Sequence, residues 1–168
     1  MRMFENFYPD QVCKSIYDID LQLLKDNGIA GLILDIDNTL VRPQEREPSQ
    51  RLLDWLNEVR MAEFCICILS NARRRRAAAF SSGLGIFTIC NAKKPSGTGF
   101  QKAIRLMGLN SDTVCMIGDQ LFTDVYGAKK IGIYSVYVKP FVLREIFTVM
   151  LKRIPEFFIL RNYHKRQE

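Results

Sequence analysis

Five short apolar runs, spaced by longer amphipathic stretches, most constrain what this chain can fold into. They are "GLILDI" (31–36), "FCICIL" (64–69), "IFTIC" (86–90), "TVCMIG" (113–118) and "YSVYV" (134–138). Each has the length of a strand. The segments between them carry helical period: over 48–61, Leu52, Trp55, Leu56 and Val59 recur at helical spacing behind Pro48. Further helices are expected through "ARRRRAAAF", over 99–109 and through "LFTDVYGAKK". Buried strands separated by helices imply a parallel sheet covered on both faces. The expectation is therefore a single α/β domain over 1–168, with residues 1–27 as a helical lead-in. Residues 139–168 read as a basic helical tail, with seven Lys/Arg against three Glu.

In such a sheet the ligand lies at the carboxyl ends of the strands, so the residues just past each strand matter most. After the first comes Asp35-Ile36-Asp37-Asn38-Thr39, and after the second Ser70-Asn71. Lys93-Lys94-Pro95 comes after the third, Gly118-Asp119 with Asp124 after the fourth, and Lys139-Pro140 after the fifth. Any one of these alone reads as a cap, a turn or a solvated loop. Together they bring carboxylates, a hydroxyl and an amine to one edge. Acids set directly after an apolar run are costly unless a cation compensates them.

Mg²⁺ is a natural compensator, because it takes oxygen ligands and keeps positions open for water and phosphate. Asp35 and Asp119 are its first candidate ligands. A metal, a lysine, a hydroxyl and backbone N–H groups together make a phosphate site. Phosphate monoester hydrolysis is among the slowest uncatalysed reactions, with enzymatic accelerations up to about 10²¹-fold. A carboxylate nucleophile splits it into two steps. Asp35 is the candidate nucleophile and Asp37 the general acid and base. A carboxyl with an ordinary pKa is only about 0.1 % protonated at pH 7. Asp37 is therefore expected to be raised by crowded carboxylates or to take its proton with the substrate. Ser70 and the N–H of Asn71 would hold phosphoryl oxygens, and Lys94 would neutralise them. Asp124 would hold metal-bound water or orient Lys94.

These residues carry a family resemblance. "DIDNTLV", "ILSNA", "KKP" and "IGDQLFTD" resemble the four motifs of the haloacid dehalogenase (HAD) superfamily. Nearly the whole chain to about residue 145 is similar to the YqeG-type phosphatases of subfamily IIIA. The resemblance implies a Rossmann-like three-layer sandwich whose first strand is central, with no cap domain. It implies Asp35 as nucleophile, Asp37 as acid/base, and Ser70 and Lys94 on phosphate. It also implies Mg²⁺ held by Asp35, Asp119, Asp124 and the backbone carbonyl of Asp37. Of the doublet Lys93-Lys94, the second matches, since the family's lysine usually precedes proline.

Only about ten residues separate Thr39 from the next helix, and no insertion comes after the third strand. That leaves no room for a lid. The site is expected to be open, suited to a large substrate, a substrate on a surface, or closure by another subunit of a homo-oligomer. Relatives of this type include phosphatidylglycerophosphate phosphatases, which implies a lipid phosphate at an anionic membrane surface. The tail mixes Phe, Leu and Ile with Arg and Lys as interfacial helices do, although a packed terminal helix reads equally well. A soluble sugar phosphate or nucleotide is the alternative substrate. The net charge of +6 favours an anionic partner without choosing among them. A nucleic-acid or ribosome-associated protein is disfavoured, because carboxylates facing an anion do nothing for a pure binder.

The start "MRMFENFYPD" lacks the apolar core of a signal peptide, and no apolar run approaches the ~18 residues of a membrane span. A cytoplasmic protein is expected, with peripheral attachment to the inner face of the membrane as the variant. Cys13, Cys65, Cys67, Cys90 and Cys115 show no disulfide or zinc spacing, and His164 stands alone, so reduced thiols are expected. Last, "SNARRRR" places Arg73 to Arg76 on a helix turning about 100° per residue. They should spread around its circumference, with Arg73 or Arg74 nearest the substrate and the rest in solvent.

Overall fold

The computed structural model describes residues 5–142 and Ile159. One six-stranded sheet, parallel throughout, has the order β1-β6-β5-β2-β3-β4. The strands are β1 (Gln11–Cys13), β2 (Gly31–Leu34), β3 (Cys65–Leu69), β4 (Phe87–Ile89), β5 (Val114–Gly118) and β6 (Tyr134–Val138). The helices are α1 (Leu21–Asp26), α2 (Gln50–Met61), α3 (Arg74–Ser81), α4 (Gly97–Met107) and α5 (Tyr126–Lys129). β2 lies centrally between β5 and β3.

The two faces of the sheet are sorted by the two-residue period of its strands. Leu32, Leu34, Ile66, Ile68 and Ile117 pack on one side, against Leu24 of α1, Leu52, Trp55, Leu56 and Val59 of α2, and Phe80 of α3. Ile33, Cys67, Leu69 and Met116 pack on the other, against Phe100, Ala103 and Met107 of α4 and Ala128 of α5. The result is a three-layer α/β sandwich. Burying each such aliphatic side chain contributes about 1.5–3 kcal/mol, so the central strands are the most strongly held.

Two expectations need correction. Residues 1–27 are not simply a helical lead-in: among the described ones, β1 adds a sixth strand at the sheet edge. Three residues beside a proline give no periodic signal. β1 is fixed instead by Asp10, whose carboxylate accepts hydrogen bonds from the Ser135 backbone N–H at 2.8 Å and its hydroxyl at 2.9 Å. Lys129 Nζ pairs with the same carboxylate at 2.5 Å. Second, "LFTDVYGAKK" does not begin as an α-helix. Leu121–Val125 form a π-helical turn ahead of α5, with the Val125 N–H reaching back to the Gln120 carbonyl.

The tail expected over 139–168 lies outside the described residues beyond Val142, except Ile159. That residue is buried with Leu121, Val125 and Tyr137. Among the described residues no helix is long and apolar enough to cross a membrane. The cysteines are free; burial pushes the Cys67 thiol up to about 12 and holds that of Cys115 well above its ordinary value.

Candidate active site

The carboxyl ends of β2, β3 and β5, and the loop after β4, converge on one cluster. Asp35 extends β2, its N–H bonding the Ile117 carbonyl of β5 at 3.0 Å. The chain then turns tightly, with the N–H groups of Leu40 and Val41 both returning to the Ile36 carbonyl. Asn38 takes a positive φ of 65° in this turn, a conformation asparagine tolerates better than most residues. The turn brings the Thr39 hydroxyl within 3.4 Å of Asp35 Oδ2 and 3.3 Å of Asp119 Oδ1. Sequence reasoning gives Thr39 no role of its own, although it closes the DxDxT pattern.

Lys94 sits between two acids: its Nζ lies 2.5 Å from Asp35 Oδ1 and 2.7 Å from Asp124 Oδ1. Lys93, by contrast, is exposed, so the doublet resolves to Lys94. The side chain of Asn71 holds Lys94 in place. Its amide donates to the Lys94 carbonyl at 3.1 Å, and its oxygen accepts the Lys94 N–H at 2.8 Å. Ser70 is buried at the end of β3, and its hydroxyl oxygen accepts the Ala72 N–H at 3.1 Å.

Asp119 and Asp124 are both fully buried. Asp124 Oδ2 accepts the Gln120 N–H at 3.1 Å across the π-helical turn. Gly118 leaves room for this, since a Cβ there would fall on the Asp124 carboxylate. One carboxylate oxygen from each of Asp35, Asp119 and Asp124 lies within 4.8 Å of the others.

The electrostatics of this floor are unbalanced. Burial pushes Asp35 up to about 7, helped by the charges of Asp124 and Asp37 and opposed by Lys94. Burial also works against the Lys94 ammonium, but Asp124 and Asp35 more than restore it, and its pKa ends above the ordinary value. Lys94 thus bridges two of the three buried carboxylates. Three carboxylates this close, offering oxygen donors alone, suit a hard dication.

Asp37 stands apart. It is half-buried, and Arg76 of α3 grips it, with Nη2 at 2.9 Å and Nε at 3.3 Å from Oδ1. Asp37 thus meets a cation at the edge of the acid cluster. The expectation that Arg73 or Arg74 would lie nearest the site, with the others in solvent, is also corrected. Arg73 is the residue preceding α3, and the side chain that comes back to the strand-end edge is Arg76.

No inserted domain stands between Thr39 and α2 or between β4 and α4. An acid cluster with a buried lysine at the carboxyl edge of this sheet defines a phosphatase of the HAD type. A solved HAD phosphatase from Thermococcus onnurineus shares the fold, with a TM-score of 0.50 at 22% identity over 60% of this chain and 50% of that one.

The chain belongs to the PGP phosphatase family, whose model, described as "Mitochondrial PGP phosphatase", matches residues 1–142. The chain is 37% identical to a probable phosphatase, YqeG, of Bacillus subtilis, over 92% of its own length and 90% of that protein's. It is 31% identical to the chloroplastic phosphatidylglycerophosphate phosphatase 1 of Chlamydomonas reinhardtii. That match covers 91% of this chain but 61% of the algal protein.

Proposed function

We propose that this chain hydrolyses phosphatidylglycerophosphate through a covalent phosphate on Asp35, with Mg²⁺ as its metal and the inner membrane surface, reached from the cytoplasm, as its workplace. The chemistry rests on one observation, the Asp35 carboxylate held at 2.5 Å from Lys94 within a buried triad of acids, and the lipid substrate is carried over from the family match. Asp35, Asp119 and Asp124, with the Asp37 carbonyl, would hold the metal. A bound Mg²⁺ supplies positive charge that offsets the repulsion between carboxylate and phosphate.

The protein's own groups do the rest. Lys94 neutralises phosphoryl oxygens, and Ser70 with the Asn71 N–H receives them. Thr39 fixes the direction of Asp35 through Oδ2. An Asp35 oxygen bonds to phosphorus as the ester P–O bond breaks, and Asp37, having taken up the proton of the incoming phosphate monoanion, passes it to the leaving oxygen. Asp37 then takes a proton from water, whose oxygen attacks phosphorus and releases Asp35 and inorganic phosphate. Asp124 orients Lys94 from the far side at 2.7 Å.

The test is Mg²⁺-dependent hydrolysis of an aryl phosphate by the parent and by Asp35→Asn. The variant is expected to lose ~10⁴-fold or more in kcat. Equal rates would remove Asp35 from its role. Detergent-dispersed lipid phosphate assayed beside soluble monoesters then decides the substrate. Efficient cleavage of a soluble metabolite with the lipid untouched would overturn the lipid reading.

A further inference from the structure

Three of the four consecutive arginines share one wall. Arg73, Arg75 and Arg76 line a groove of about 400 Å³ together with Arg46, from the loop after β2, and Ala79. Residues three and four apart are neighbours on a helix, so Arg75 and Arg76 both lie beside Ala79, whose methyl group leaves the space open. Among the described residues, Arg46, Arg73 and Arg75 make no ion pair. Arg76 joins the groove to the chemistry. Its Nη2 reaches Asp37, while its Nη1 is buried without a hydrogen-bond partner. Guanidinium groups gathered around one space repel each other, and at the start of α3 they also oppose the helix dipole. An anion in the groove relieves both costs.

The position of the groove says which part of a substrate reaches it. In the proposed reaction Asp37 delivers a proton to the leaving oxygen, and Arg76 lines the groove while gripping Asp37, so the groove is assigned to the leaving-group side. We infer that it is a subsite for a second phosphate, carried by the leaving alcohol as a phosphodiester or phosphate ester. This deepens the function proposed above and rests on it. A planar guanidinium binds phosphate oxygens bidentately, which suits arginine rather than lysine to this wall. The subsite reads the second phosphate itself, whether that phosphate belongs to a lipid headgroup or to a soluble molecule.

The probes are glycerol phosphate, glycerophosphoglycerol phosphate, and the diacylated form of the latter in mixed micelles. The second differs from the first by a phosphodiester on the leaving side. The parent is expected to favour it in kcat/KM by ~10-fold or more, the equivalent of about one charge-assisted contact. That ratio should fall toward one in the double variant Arg73→Gln/Arg75→Gln, and fall in Ala79→Leu, which narrows the groove and keeps every charge. It should also shrink as salt rises. No preference in the parent, or an unchanged ratio in both variants, overturns the subsite. A preference present only in micelles, and lost only there, overturns it in favour of a membrane-surface contact. Glycerophosphoglycerol, which has the diester and no monoester, separates the two proposals by NMR titration. Groove-dependent binding with no turnover of any monoester keeps the subsite and sinks the proposed function. Turnover with neither preference nor groove-dependent binding does the reverse.

Discussion

The floor of the site and its rim are both charged, but they are built in opposite ways. On the floor, Asp35 and Asp119 at strand ends, Lys94 in the loop after β4 and Asp124 in the π-helical turn are buried and bonded to one another or to Thr39 and Gln120. On the rim, Arg46, Arg73 and Arg75 are exposed and make no ion pair among the described residues. Among the described residues, Arg76 links the rim to Asp37 at the edge of the floor. A buried charge without its partner costs several kcal/mol, whereas an exposed one costs little. The floor is therefore bound to the stability of the fold. The rim is not, so its charges can be changed at little cost to folding.

The largest expected effect breaks the floor. Lys94→Met strands Asp35 and Asp124 as buried, uncompensated carboxylates. The metal-free protein should lose ~3–5 kcal/mol of stability in urea unfolding. A loss within error of zero would mean that the floor does not depend on its internal pairing.

A smaller effect concerns pH. The Asp35 carboxyl is raised from 3.8 to about 7, so between those values the native state keeps a proton that the unfolded chain releases. Its contribution to stability therefore falls as pH rises through that window and is level above it. In chelator-treated protein, Asp35→Asn should gain on the parent between about pH 4 and 7, read as the difference between their urea midpoints. A constant difference across the window would contradict the raised value. The smallest expected effect lies on the rim. Arg74 does not line the groove, and Arg74→Gln should leave both kcat/KM values within about twofold. A collapse of the ratio equal to that of the groove variants would show that charge near α3 matters without position.

The difference between floor and rim also explains what could be read from the sequence. Five of the six strands stand out because each is a short apolar run, and the central ones are buried on both faces. A strand end fixes its next residue closely, so Asp35, Ser70 and Asp119 could be placed from chain position alone. Lys94 required the proline after it to be separated from Lys93. The rim depended on helix phase, and phase is set by where α3 starts. With Arg73 standing just before the helix, Arg76 comes round to Asp37, which no count of arginines reveals. The π-helical turn carrying Asp124 was hidden for a related reason. Its wider spacing is one residue away from an ordinary helix, and the pattern "LFTDVYGAKK" is compatible with either. β1 was hidden because its pairing depends on Asp10 and Ser135, far apart in the chain.

A strand held from so far away bears on how the molecule is made. Asp10 and Ser135 are 125 residues apart, and among the described residues β1 pairs with β6 alone. During synthesis the first strand must therefore wait, unpaired, until nearly all the chain that forms the sheet has left the ribosome. The central strands can assemble earlier, from nearer partners. The Asp10 clasp closes only after them, as the seam that completes the fold.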